Sequence, residues 1–507
     1  MPLSTPRASG LGLFLALLVL SLSACNVRMA ATPQVEMSSA PPLPAVPPPS
    51  AAAAWVPEGY EVAIAVQDLV YPTSVTFGDD GAMYVAEAGY SYGDPAAPPR
   101  VLRIAADGAV SVAASGLSGP INDVLWHEGR LYISHRGKIS AMEPGGAVRD
   151  LVTGLPSLGD HHNNQLAVGP DGMLYFGQGT ATNSGVVGLD NFAMGWLRLH
   201  PFFSDTPAQP LRLTGRTFTS INPLMLTAED EGPVARTSGF AAFDSTLERT
   251  GSAVKANGTV LRMNTDGSGL EVYAWGLRNP FGVAWGPDGR LYVAENGFDE
   301  RGSRPIANAA DNLWAVEQGA WYGWPDYASG IPVTDARFKP GYAEQPEFLM
   351  EEHPPVGTPL VTFAEHAAVT QLAAGPGGPF GRHLYVGQFG DMTPLTGQTE
   401  RPTGYQVARV DPATGAVEPF FYTRPGARGP AGLEYFATAG PKRPVGVAFS
   451  PDGGALYVAD FGAFTIVTGA APVPTPVPGT GVVWRITRSG TRVDGPTGVS
   501  AAPGGGR

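Results

Sequence analysis

Six times along this chain an apolar stretch runs into a Gly-Pro-Asp-Gly-like turn and then into a Leu-Tyr-Val-like stretch that ends on a polar residue. The segments are residues 75–87 (VTFGDDGAMYVAE), 124–135 (VLWHEGRLYISH), 166–178 (LAVGPDGMLYFGQ), 283–295 (VAWGPDGRLYVAE), 372–388 (LAAGPGGPFGRHLYVGQ) and 447–460 (VAFSPDGGALYVAD). Val, Leu, Tyr and Trp on both arms suit strands, and Pro-Asp-Gly presets a tight turn, so each segment reads as a β-hairpin. One hairpin cannot bury its own apolar face, and no long helical periodicity separates the six. The repeat therefore predicts an all-β fold, a six-bladed β-propeller.

The 507 residues include 67 Gly and 50 Pro, a turn-rich composition in keeping with that fold. A length of this size allows several domains, but the repeat spreads over most of the chain and favours one large domain, residues 55–490. The formal net charge of −13 leaves no basic stripe for nucleic acid and directs attention to a small-molecule or protein partner.

Residues 1–25 read as an export signal: Arg7 precedes an apolar core, LGLFLALLVL at 11–20, that is short for a membrane span. The run ends in Leu22-Ser23-Ala24-Cys25, which resembles a bacterial lipobox, so Cys25, the chain's single cysteine, is expected to carry a lipid. An ordinary cleaved signal that happens to contain Cys25 is the alternative. The expected location is the cell envelope, with the membrane touched by the anchor only. Residues 26–54 form a Pro/Ala/Ser tract expected to be a tether, and 491–507 a Gly-rich frayed tail. An opening strand at 59–66 and a last strand at 481–487 are expected to close the ring by meeting in one blade.

Aligned on their turns, the hairpins end in Glu87, His135, Gln178, Glu295, Gln388 and Asp460, while His161, Arg278, His366 and the pair Lys442-Arg443 precede the first arms. Both sets lie at the hairpin end away from the turn. Rotation about the propeller axis would bring them to one mouth of the central channel. A cationic set in equivalent slots implies an anion, or the acidic set, among them.

Two segments stand out there. Residues 159–165 (GDHHNNQ) place Asp160 before two imidazoles; His161, in the repeat slot, is the candidate general base, with Asp160 or a backbone carbonyl to orient it. Residues 276–279 (GLRN) and 295–300 (ENGFDE) flank the fourth hairpin, with Arg278 as a planar fork and an oxygen-rich, Gly-containing loop of a composition suited to Ca²⁺. No zinc-protease, haem-attachment or phosphate-loop motif occurs. Residues 192–258 interrupt the repeat between the third and fourth hairpins.

With Asp160-His161, Gly276-Leu277-Arg278-Asn279-Pro280, Glu295-Asn296-Gly297 and Tyr322-Gly323-Trp324-Pro325 in order, the chain resembles the glucose/sorbosone dehydrogenase family of quinoprotein sugar dehydrogenases over about residues 55–487. The resemblance implies a six-bladed propeller holding pyrroloquinoline quinone (PQQ) and Ca²⁺ at its axis and oxidising an aldose or related polyol, with an electron acceptor left unspecified. It makes His161 the base, oriented by Asp160, and puts Arg278, Asn279, Asn296 and Arg443 on the cofactor. The main-chain oxygens of Gly297 and Phe298 would hold the metal. The chain also departs from the family pattern: Val445 stands where a second Arg is usual, Gln165 replaces a common Arg, residues 388–393 offer no cofactor-binding Lys, and the loop after Phe298 differs. Two rival functions remain open on sequence: a Ca²⁺-dependent lactone or ester hydrolase, and a non-catalytic binding module.

Overall fold

The computed structural model describes residues 43–89, 97–225, 233–467, 473–490 and 495–502. The expected signal segment and Cys25 lie outside them. Six sheets, antiparallel except for one edge strand of blade 6, are arranged as a propeller, each built outward from one hairpin of the repeat. The innermost strands are Pro72–Phe77, Ile121–His127, Asn163–Val168, Asn279–Trp285, Val369–Ala374 and Pro444–Phe449, in blades 1 to 6. Each pairs with the second arm of its own hairpin, as Val283 does with Val293 in blade 4.

The turns hold as the sequence dictates. Gly172 and Gly289 sit at φ 76° and 79°, a left-handed conformation that costs glycine little. The turn Asp four residues before the strand Tyr accepts that Tyr hydroxyl: Tyr175 Oη donates to Asp171 and Tyr292 Oη to Asp288, both at 2.8 Å. Apolar clusters then weld neighbouring blades. Tyr132 of blade 2 packs with Leu166, Phe176 and Leu261 of blade 3, and Tyr292 and Leu313 of blade 4 with Leu372 and Val386 of blade 5. Each such fully buried side chain stabilises the ring by roughly 1.5–3 kcal/mol relative to exposure.

Blade 6 closes the ring as expected: Tyr60–Leu69 pairs antiparallel with Gly481–Arg488, Ile64 opposite Trp484. The propeller extends past its expected edges at both ends. Ala54–Trp55 adds a fifth strand to blade 5 beside Val417–Thr423, and Ser50 N donates to Ala439 O at 2.8 Å, so part of the expected tether is docked. Val499–Ser500, within the expected frayed tail, pairs parallel with Val66 and Gln67. The interruption of the repeat falls inside blade 3, between its second strand and Thr259–Met263. Its helices Leu189–Ala193 and Trp196–Leu199 are the α-helices among the described residues.

Candidate functional site

Each inner strand breaks register near its start, between Pro72 and Ser74, Ile121 and Asp123, Asn163 and Leu166, Pro280 and Gly282, Val369 and Leu372, and Pro444 and Gly446. A bulge bends its strand and re-aims a side chain. In five of the six blades the second residue of the strand reaches a common cavity: Thr73, Asn122, Asn164, Thr370 and Val445 all line a space of about 180 Å³, and in blade 4 Asn279 and Phe281 line it in place of Pro280.

These residues stitch each blade to the next. Thr73 Oγ1 donates to Ile121 O at 2.6 Å, Asn122 Nδ2 to Asn163 O at 2.9 Å, Asn164 Nδ2 to Pro280 O at 3.2 Å, Asn296 Nδ2 to Val369 O at 2.7 Å and Thr370 Oγ1 to Val445 O at 2.9 Å. Val445 has no donor to continue the circuit. Beside this layer Gln371 Nε2 of blade 5 donates to Asn122 O of blade 2 at 2.8 Å, and Gln165 Oε1 of blade 3 accepts from Val283 N and Leu372 N of blades 4 and 5. Such contacts between non-adjacent blades close the axis. The Gln165 carboxamide is therefore a structural tie between blades.

One half of the cavity is charged. His161 and Arg278, from blades 3 and 4, both line it, and they meet through Thr180: Thr180 N donates to Arg278 O at 2.9 Å, and His161 Nδ1 lies 3.0 Å from Thr180 O. That carbonyl can only accept, so Nδ1 carries the proton and Nε2 is the basic atom. The imidazole is held well below its usual pKa by enclosure, with Arg278 and Arg301 adding positive field. A Cβ on Gly179 would sit 2.4 Å from His161 Cβ and 2.7 Å from Asn279 Oδ1, so only glycine allows this approach. The expected orienting role of Asp160 is not what the geometry gives. Its carboxylate accepts from Asn191 Nδ2 at 3.0 Å and Arg301 Nη2 at 2.8 Å, and the carbonyl of Thr180 holds His161 instead.

Arg278 Nε donates to Asn183 O at 3.1 Å and Nη2 to Asp299 Oδ2 at 2.6 Å. Arg301 joins Asp160, Asp190 and Asp299 at 2.7–2.9 Å, all nearly buried. Burial opposes ionisation of Asp299, but Arg278, Arg301 and His366 together outweigh it and hold the carboxyl below its usual range. Asn279 Nδ2 donates to Asn296 Oδ1 at 2.7 Å, and both amides line the cavity. His366, also in a repeat slot, completes this side.

Beyond His366, Thr370 and Thr396 the wall supplied by blades 5 and 6 is apolar. Phe389, Met392 and Leu395 from blade 5, and Val445, Phe461 and Phe464 from blade 6, form it. Arg443 does not line this cavity. Its Nη1 donates to the carbonyls of Phe389, Gly390 and Asp391 at 3.0–3.2 Å, and its guanidinium packs against the rings of Phe389, Tyr405 and Phe464 at 4.6–4.8 Å. Lys442 is likewise buried away from it.

The polar residues that end the hairpins are not at the mouth. Glu87, His135, Gln178, Glu295, Gln388 and Asp460 are all buried, and none lines the cavity. They act as clasps within blades: Glu295 accepts from Arg278 N and Trp314 Nε1, and Asp460 from Lys442 N, Arg443 N and Trp484 Nε1. Alternation along a strand explains the displacement, since the next residue faces the other way. Ala88, Asn296, Phe389 and Phe461, each one step beyond a clasp, line the cavity.

Gly297 also lines the cavity; its N donates to Asp311 Oδ1 at 2.8 Å, and a Cβ there would lie 2.4 Å from Ala310 O. The Phe298 ring points away, into a cluster with Ile306, Trp321 and Trp324. Among the described residues no group of three or more His, Cys, Asp or Glu side chains is arranged around a metal position. A cation here would rely on main-chain and amide oxygens near residues 296–299, with single carboxylates beside them. Asp299 fell within the oxygen-rich segment 295–300 but was not expected to pair with Arg278, and Arg301 was not singled out; both sit in an irregular loop outside the repeat register.

Residues 245–373 match the family model for glucose/sorbosone dehydrogenases. The quinoprotein glucose dehydrogenase B of Acinetobacter calcoaceticus is 28% identical over 179 residues, which cover 35% of this chain and 29% of that protein, so the match spans under a third of the relative's length. The PQQ domain of a pyranose dehydrogenase from Coprinopsis cinerea, in holo form, superposes with a TM-score of 0.53 at 16% identity, covering 88% of this chain and 99% of that one. A calcium structure of a Trichoderma reesei carbohydrate-active enzyme of Family AA12 gives 0.50 at 18% identity, covering 87% and 98%. These structural likenesses establish the shared fold.

Proposed function

We infer that this chain, which carries the glucose/sorbosone dehydrogenase pattern through residues 245–373, is an oxidoreductase that oxidises an aldose or related polyol with PQQ and Ca²⁺. The observation that carries the reading is the meeting of His161 and Arg278 at one axial cavity, joined through the backbone of Thr180. The charged half suits the reactive edge of a quinone: Arg278 and Asn279 offer N–H donors, and His162 Nε2 and Thr396 Oγ1 are buried polar atoms of lining residues that have no hydrogen-bond partner among the described residues. Such atoms favour a polar ligand that would satisfy them. The apolar wall suits the face of a conjugated ring.

When bound, PQQ with Ca²⁺ supplies a two-electron acceptor for hydride from the carbinol carbon. The protein does the rest. His161, its Nδ1–H fixed on Thr180 O, takes the sugar hydroxyl proton at Nε2. Because its imidazole is held unprotonated, the base form is present at neutral pH. Arg278, braced by Asn183 O and Asp299, presents a fixed positive group toward developing negative charge. Asn279 and Asn296 are oriented by each other and by Asn164. Gly297 and Phe298 would lend main-chain oxygens to Ca²⁺. The apolar wall excludes water from this half of the site. With the N-terminal segment read as a lipoprotein signal, the enzyme belongs in the cell envelope.

The test is aldose-dependent reduction of an artificial dye by purified protein. Turnover that requires both PQQ and Ca²⁺ supports the reading. Lactone opening without quinone would replace it with a hydrolase, and neither activity with a binding module.

A further inference from the structure

The three carboxylates of PQQ need cationic partners, and the cavity distributes its cations unevenly. Among the described lining residues the Lys and Arg side chains are Arg278 and Arg301, both in the half formed by blades 3 and 4. Both are already matched: Arg278 to Asp299 at 2.6 Å, and Arg301 to Asp160, Asp190 and Asp299. Asp160, Asp299 and Asp311 line the cavity beside them. Blades 5 and 6 present Phe389, Met392, Leu395, Phe461 and Phe464, with His366, Thr370 and Thr396 of blade 5 as the polar side chains toward blade 4. Two positions there are aimed at the axis by bulges: Thr370, whose hydroxyl is spent on Val445 O, and Val445, which has no polar side-chain group and stops the interblade circuit. Arg443, the nearby cation in sequence, is tied to three carbonyls and enclosed by aromatic rings. A carboxylate set against this wall would lose water without gaining a charged partner, which is unfavourable.

Resting on the quinone reading above, we propose that the cavity recognises its cofactor by the carbonyl edge and the ring face, that the wall of blades 5 and 6 takes an uncharged part of the ligand, and that Val445 is the residue that sets this preference. The ligand class that fits best is a planar quinone with few or no carboxylates on that side. PQQ itself is held weakly and exchanges.

Equilibrium binding separates the possibilities without any turnover. Purified protein is titrated with PQQ and with PQQ trimethyl ester, in chelator-treated buffer and again in excess Ca²⁺, following quenching of intrinsic fluorescence. In chelator-treated buffer the ester is expected to bind at least as tightly as the acid. Val445→Arg is expected to tighten PQQ binding about tenfold, the scale of one charge-assisted hydrogen bond, and to leave the ester unchanged or weaker. The Val445→Leu variant controls for bulk and is expected to tighten neither. PQQ binding tenfold or more tighter than the ester in chelator-treated buffer overturns this inference while leaving the quinone reading intact. A folded Val445→Arg protein with unaltered PQQ affinity overturns it as well. If neither quinone saturates in either buffer, the quinone reading falls and takes this inference with it.

Discussion

Arg301 donates through Nη2 to Asp160 at 2.8 Å, and this contact keeps Asp160 off the imidazole that follows it in the chain. The same guanidinium holds Asp190 and Asp299, so one arginine ties the start of blade 3, its inserted helix and the loop after blade 4's second strand into a buried ion network. Replacing Arg301 by Leu removes the cation and leaves carboxylates behind. Breaking a buried network in this way costs about 3–5 kcal/mol. Urea denaturation of Arg301→Leu checks it, and a loss below about 1 kcal/mol would show the network to be energetically idle.

Asp160→Asn separates position from chemistry. The amide can keep a contact with Asn191 but loses the ion pair, and it leaves His161 Nδ1 on Thr180 O untouched. Turnover is expected to fall by less than about tenfold, against the roughly 10²–10⁴-fold associated with loss of a general base. A loss as large as that of a His161 variant would place Asp160 directly in the proton path.

His162 makes stability depend on pH. Burial, with a smaller contribution from Arg136, pushes its pKa down to about 3, while the unfolded chain keeps the ordinary value of 6.5. The folded state therefore binds fewer protons between these values. The stability due to the neutral imidazole is complete above pH 6.5 and is lost as pH falls toward 3, at up to about 1.4 kcal/mol per pH unit. Urea midpoints measured from pH 7.5 to 4.5 should decline less steeply for His162→Gln than for the parent; equal slopes would contradict the assignment.

The clasps predict a large structural effect from residues that do not themselves line the cavity. Asp460→Ala leaves Lys442 N, Arg443 N and Trp484 Nε1 without their buried acceptor, and the loss is expected to reach about 3 kcal/mol or more. Thermal unfolding of Asp460→Ala beside Asp452→Ala, a change in an exposed turn, provides the comparison. Similar midpoints for the two would count against the clasp.

Much of the propeller was legible because Pro-Asp-Gly turns and strand alternation are local signals that recur six times. The terminal strands were legible in type and in partner, as Ile64 opposite Trp484 shows. The docked strand Ala54–Trp55 and the edge strand Val499–Ser500 were not, since two-residue pairings against an existing sheet edge leave no periodicity. In the site, His161, Arg278 and His366 were recoverable from their shared repeat slot. The clasps were misplaced by one residue because the sequence marks where polar groups recur but not which face of the strand they take. Asn296, Phe389 and Phe461 face the cavity as a result, and Glu295, Gln388 and Asp460 do not. Arg443 shared the slot of Arg278, yet carbonyls and rings from blades 5 and 6 capture it, a tertiary effect with no trace in its own segment.

The most direct test of the central claim, that distant blades assemble a base and a quinone-edge site at one cavity, is single-turnover reduction of bound PQQ by an aldose, with Ca²⁺ present, followed by absorbance in the parent and in His161→Gln. The account predicts reduction slowed by about 10²-fold or more with quinone affinity unchanged. Reduction at the parental rate in the quinone-loaded variant would contradict it.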